Sequence, residues 1–266
     1  MTPLQQQIDE LPDGQLLELG AHTIELDAPL VLRRSLRLQG QGTTLILKYG
    51  REAVLRIQGA GPFWIQGLTI LYEGPGPARG IWIESGEVHL EECKIRGACW
   101  VDDRGLGAGV HFSHESRGSL LFCELFKNDV GVLVDHQSQV RLESNRIYDN
   151  RLSGLQLQGF SRSRISQNEC RNNGLAGIWM SGQAWGELEG NRCHDNGSHG
   201  IHMAGQSQGR LQGNELSQNQ HHGFSAEDQC WASLDQQVCE ENGLCGLDFA
   251  GDSRIQAASN YCTLNT

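Results

Sequence analysis

Nowhere does the sequence approach the roughly 18 unbroken apolar residues that a membrane-spanning helix needs, so a helical span is excluded. Basic residues are the minority: 21 Lys and Arg stand against 32 Asp and Glu, a net charge of −11. That balance argues against nucleic acid and anionic membranes as partners, because phosphates require a basic footprint. The opening MTPLQQQ has neither a basic segment nor an apolar core. No secretory signal is therefore expected, and a cytosolic location is. The 9 cysteines include no C-x-x-C pair and their number is odd, so neither a disulfide framework nor a zinc ribbon is expected. Proline is scarce, at 6 residues, but glycine is abundant, with 34 in 266 residues against an ordinary share of about 7%.

The glycines are periodic, and a repeat governs the second half. Gly131, Gly154, Gly177, Gly200 and Gly223 each open a block of 23 residues, and Gly246 opens an incomplete sixth. One asparagine column runs through Asn145, Asn168, Asn191, Asn214 and Asn260, interrupted by Gln237. A second runs through Asn128, Asn150, Asn173, Asn196, Asn219, Asn242 and Asn265. Within each block the apolar residues alternate over short stretches, which predicts three strands separated by Gly- and Asn-rich turns. Leu142, Ile165, Leu188, Leu211 and Leu234 form one inward column. Ile147, Cys170, Cys193, Leu216, Cys239 and Cys262 form another, so these cysteines read as small apolar filler and buried free thiols. Each block then makes one turn of a coil whose successive turns pair in parallel, with stacked Asn amides bonding from coil to coil.

The Gly-φ-x-φ…φ-x-x-Asn-x-φ-x-x-Asn pattern resembles the right-handed parallel β-helix repeats of pectate-lyase-like, NosD-like and CASH-domain proteins. The resemblance covers nearly the whole chain. It implies one all-β solenoid of about ten coils: residues 1–13 a short N-terminal capping helix, 14–108 irregular coils, and 109–266 regular coils of 22–23 residues. Leu4, Ile8 and Leu11 are the expected cap contacts. The resemblance is specific for fold; lyases, epimerases and interaction domains share it.

Two outward columns stand out. Two residues after each opening glycine the chain reads Trp82, His111, Leu133, Gln156, Trp179, His202, Ser225 and Asp248, and Trp185 and Trp231 share another outward position two coils apart. Exposed Trp suggests a surface that a protein or peptide partner covers, with Trp82, His111, Trp179, His202, Trp185 and Trp231 as its contacts. By contrast, Glu124, Arg146, Glu169, Arg192 and Glu215 alternate in sign along one column and read as register-fixing surface pairs. His199, His202 and His222 cluster near one corner, but no carboxylate or thiolate clearly completes a metal site, so no cofactor is expected.

The segment GACWVDDRGLGA at 97–108 lengthens one coil and brings Asp102, Asp103 and Arg104 towards His111, His114, Asp135 and His136. A uronate polysaccharide lyase or C5-epimerase needs a base for the C5 proton and a cation for the carboxylate, and these residue types can supply both. The chain carries no aspartate-rich calcium motif of the pectate-lyase kind and no Asp-Pro-His signature of the alginate-epimerase kind. The sequence alone thus favours a cytosolic interaction scaffold that presents its first-strand face, with a carbohydrate-active enzyme as the alternative. The final block stops at its second Asn column, which leaves Leu247, Phe249 and Ile255 on an open coil and predicts that this coil is covered, foremost by a second copy end to end, with a returning loop, a different partner or a continuation of the chain as alternatives.

Overall fold

The computed structural model describes residues 3–49, 52–99 and 107–266. One short helix, Pro3–Glu10, is followed by strands throughout, all paired in parallel apart from an isolated antiparallel bridge between Ala78 and Cys99. The first strands of the coils make a ten-stranded sheet running from Leu30–Leu32 to Leu247–Phe249. The second and third strands make up a 20-stranded sheet. A regular coil holds three strands, as in Ile178–Met180, Trp185–Glu189 and Arg192–His194. Earlier coils are longer and less regular: Leu36–Leu47 spans two strand positions with a register shift between Gln39 and Thr43.

The periodic columns stack in register. Leu142, Ile165, Leu188, Leu211 and Leu234 are buried, as are Ile147, Cys170, Cys193, Leu216 and Cys239. Cys262 departs from the expectation of burial. It pairs with Cys239 in the last described coil but is exposed, because no described coil stacks over it. The asparagine columns form two ladders inside the turns. Asn145 Nδ2 donates to Asn168 Oδ1 at 2.9 Å, and the chain continues through Asn191 and Asn214 to Gln237 Oε1. The second ladder runs unbroken from Asn150 to Asn265. Such buried amides must be satisfied, and a stack with a coil-long repeat satisfies them.

Glycine opens each coil for a steric reason. A Cβ on Gly154 would stand 2.7 Å from the Gly177 carbonyl oxygen and 2.9 Å from Asn173 Nδ2. The helix does cap the first coil: Leu4 and Ile8 are buried, and Leu11 packs against the same core. Gln5 adds a polar cap, its amide donating to the Val31 carbonyl at 3.0 Å and accepting from the Val31 N–H at 2.8 Å. These bonds satisfy backbone groups on the outermost strand of the ten-stranded sheet, an edge that would otherwise be open. At the other end, Leu247 and Ile255 are half-buried and Phe249 is 45% exposed.

Candidate functional site

The outward column of the ten-stranded sheet runs Val31, Arg56, Trp82, His111, Leu133, Gln156, Trp179, His202, Ser225, Asp248, each residue paired with the next. It points away from the core, but the open aromatic surface expected from the sequence is not what it forms. His111, Leu133, Gln156 and Ser225 are buried, and Leu133 packs with Ala108, Val130 and Leu152. Trp82 is held between two guanidinium groups, Arg56 at 4.7 Å and Arg79 at 4.4 Å from its ring centre. Its indole N–H donates to Ser113 Oγ at 3.1 Å. Arg56 is in turn held by Glu52 and Glu84.

Beside this column the structure gathers residues from three successive coils into one hydrogen-bonded chain. Arg79 Nε donates to His111 Nδ1 at 2.7 Å. That bond leaves the His111 proton on Nε2, which lies 3.0 Å from Asp135 Oδ2. The other Asp135 oxygen is 2.5 Å from His136 Nδ1. Burial pushes the His111 imidazole below its ordinary pKa, and the adjacent Asp135 carboxylate only partly offsets this. His111 is therefore a neutral bridge between an arginine and a carboxylate. Burial also raises the Asp135 carboxyl, but the hydrogen bonds from His111 and His136 outweigh it and leave the group below its usual value, ionised. Burial lowers Arg79 too, with Asp135 opposing the shift.

His136 is the exposed end of the chain, with its side chain 58% accessible. Its Nδ1–H is committed to Asp135, so Nε2 carries a lone pair towards solvent. A second imidazole, His114, stacks on it, with ring centres 5.1 Å apart and planes 7° from parallel. Ser113 Oγ gives its proton to the Ile83 carbonyl, so the His114 Nδ1 that meets Ser113 Oγ at 3.1 Å is the donor of that pair. His114 Nε2 is then free as well. Both histidines have positive φ, 60° and 54°, at a turn position that is Gly159, Gly182, Gly205, Asp228 and Gly251 in other coils. A left-handed backbone is tolerated by His, as it is by Lys127, Asp149, Asn172 and others at another turn of successive coils.

Of the residues expected to meet here, His111, Asp135, His136 and His114 do so. Asp102, Asp103 and Arg104 lie outside the described residues. Sequence reasoning missed Arg79 and Arg56. Arg56 is legible as the next member of the outward column; Arg79 is not, because counting back by two from the buried Ile81 assigns it to the core side.

The second histidine group is a stack. His199 lies against His202 at 4.8 Å and His222 at 5.3 Å, with planes 15° and 5° apart, and Trp179 meets His202 edge-on. His202 Nε2 is 3.2 Å from Glu227. No group of His, Cys, Asp and Glu among the described residues converges as metal ligands would. Trp185 and Trp231 stand on the second sheet, separated by Gln208 in the pairing, each half-buried.

A parallel solenoid with asparagine ladders, a capped first edge and a site on its first-strand turns belongs to the right-handed β-helix class. The chain is a member of the family described as right handed beta helix region, whose model matches residues 69–185 and 130–266. No curated protein matches it in sequence. Among solved structures it is similar to the Dettilon tailspike protein, with TM-score 0.66 and 15% identity over 94% of this chain. It is also similar to Geobacillus virus E2 ORF18, with TM-score 0.65 and 10% identity over 97%. It spans 62% and 56% of the length of those two chains. A third similar structure is the Azotobacter vinelandii mannuronan C-5 epimerase AlgE4 A-module, at TM-score 0.56 and 16% identity, over 95% of this chain and 91% of that one. At such identities the likeness establishes the fold.

Proposed function

We propose that the chain is a carbohydrate-active protein that moves protons at a sugar ring, with His136 as the base and uronate polymers as the substrate class. The observation that carries this reading is the Arg79–His111–Asp135–His136 chain, in which three groups hold one exposed imidazole in a single tautomer. Orienting a base through a carboxylate is a recurring device of general acid–base catalysis. His136 Nε2 takes the C5 proton, and the electron pair moves towards the uronate carboxylate. The terminal nitrogens of Arg79, from which no described residue accepts, are available to neutralise it. His114 stands on the same side as His136, so when its ring is protonated its Nε2–H can pass a proton to the departing C4 oxygen while His136 Nε2 takes the C5 proton. This arrangement favours elimination over inversion, which requires proton return from the opposite side.

The sequence alone favours a scaffold that binds a protein through the Trp82–His202 column. The burial of that column and the clamping of Trp82 support the catalytic reading instead. Mannuronan C-5 epimerase is a name carried by one structural neighbour, and uronate polymers are accordingly the first substrates to assay. The test follows absorbance of unsaturated uronate and proton exchange at C5 on alginate and polygalacturonate. Turnover abolished by His136→Ala supports the proposal. Turnover that survives both His136→Ala and Asp135→Asn, or none on any acidic polysaccharide, overturns it.

A further inference from the structure

A different surface of the solenoid forms a long groove, which none of the preceding chemistry uses. Two adjoining depressions, of about 1030 and 510 Å³, share Trp185, Gln206 and Gln208. They follow the coil axis from Gln137, next to His136, to Asp252 and Arg254. Three aromatic rings mark the groove: Phe160, which is 59% exposed, Trp185 and Trp231. Parallel neighbours lie about 4.8 Å apart, so the two indoles, separated by one coil, repeat at about 10 Å along the axis. Between them the surface is amide: Gln208 sits in the pairing, and Gln206 Nε2 donates to Gln229 Oε1 at 3.1 Å.

The charge of the groove runs against that of the chain. Arg162, Arg210 and Arg254 line it, and among the described residues no carboxylate lies within ion-pair distance of any of the three. Among the described residues, Asp252 is the only acid in its lining. A protein of net charge −11 thus carries a strip with three guanidinium groups that no described carboxylate pairs. Guanidinium forks match carboxylates, side-chain amides match hydroxyls, and a flat ring matches the C–H face of a pyranose. The glycine turns Gly159, Gly182 and Gly205 add no side chain that would wall the strip off from the His136 turn.

We propose that this groove binds an extended, carboxylate-bearing polysaccharide laid along the coil axis, with Trp185 and Trp231 as stacking platforms and Arg162, Arg210 and Arg254 as the anionic contacts. A protein partner fits less well, because interfaces of that kind bury a contiguous apolar centre, and here single rings are interleaved with amides and charges. The strongly acidic chain disfavours a nucleic acid.

The groove deepens the proposed function but does not depend on it, and binding is measured apart from turnover. Titration calorimetry with oligogalacturonate and oligomannuronate, each as a length series, should show affinity rising with length and falling with salt. Trp185→Ala should weaken binding by about tenfold or more, the loss typical of a central aromatic contact. Arg162→Gln with Arg210→Gln should remove most of the preference for acidic over neutral oligomers. His136→Ala should leave binding intact, so a failed catalytic reading does not take the groove with it. Equal affinity in wild type and Trp185→Ala at unchanged melting temperature overturns the proposal. So does failure to bind any acidic oligomer, or tighter binding of single-stranded DNA or of a neutral glucan.

Discussion

His136 Nδ1 and Asp135 Oδ1 lie 2.5 Å apart, and the same carboxylate takes a second hydrogen bond, at 3.0 Å, from the buried His111. One ionised carboxylate therefore fixes two imidazoles, one sealed and one open to solvent. Asp135→Asn keeps the shape but removes the charge and one acceptor. The expected outcome on a uronate polymer is a drop in turnover of about 100-fold or more, with oligosaccharide affinity little changed. His111→Gln acts through Asp135 rather than on substrate, so it should lower turnover less than His136→Ala and should alter the pH profile. Initial rates across pH for the three variants, beside binding isotherms, check this.

Much of this architecture is legible in the chain. The opening glycines and Asn columns place every regular coil, because a glycine is required wherever the next coil's carbonyl comes within 2.4–2.8 Å of a Cβ, as at Gly131 and Gly154. The site is legible only in part. His111, Asp135 and His136 fall in register with the repeat, whereas alternation from the buried Ile81 assigns Arg79 to the core side and so hides it. The burial of His111 and Leu133 also escapes the pattern, since period-two alternation separates inside from outside but does not register what lies over the outside. Cys262 shows the converse: its column predicts burial, and only its position in the last coil makes it exposed.

The ladders should be costly to break. Asn168 accepts from both the backbone and side chain of Asn145, and its own amide donates to Asn191 and to the Leu142 carbonyl. Asn168→Ala leaves several buried groups without partners and should destabilise the protein by about 3 kcal/mol or more. Arg192→Ala, which removes an exposed pair with Glu215 at 3.0 Å, should cost less than about 1 kcal/mol. Equilibrium urea unfolding of both variants measures the contrast.

Thiol accessibility follows the coil stack. Cys170, Cys193 and Cys239 are buried, and Cys245 and Cys262 are exposed. Burial pushes the Cys239 thiol far above its ordinary value, which further suppresses the reactive thiolate. Native-state alkylation followed by peptide mapping should label Cys245 and Cys262 readily and the other three only after unfolding. Early labelling of Cys193 would mean that the middle coils open locally.

The edge strand of the ten-stranded sheet, Leu247–Phe249, pairs on one side with Phe224–Ala226 and has no described partner on the other. Phe249 projects there at 45% exposure, against Phe224 at 6.2 Å, with Leu247 and Ile255 half-buried beside it. An apolar strand edge of this kind is ordinarily covered. We expect a second copy to meet it end to end. Light scattering should then show a dimer that dissociates on Phe249→Glu. A monomer at high concentration, with that variant equally stable, would exclude the interface.

The stacked histidines give the fold a pH limit. His199 is pulled down from 6.5 to about 3, first by burial and then by the charge that His202, His222 and His221 would carry when protonated. His202 is lowered in the same sense by burial, opposed by Glu227. Between pH 6.5 and about 3 the unfolded chain binds a proton at His199 that the folded chain refuses. Stability therefore rises with pH through this window and is lost as pH falls below 6.5, before the lowered carboxyls Asp135, Glu84 and Glu169 begin to protonate. Urea midpoints should decline from pH 7 to pH 5, and His199→Asn should flatten that decline while leaving the steeper loss below pH 4 in place. A midpoint independent of pH from 7 to 5 in the wild type would show that the stack accepts protons without strain, contrary to the burial of His199 and His202.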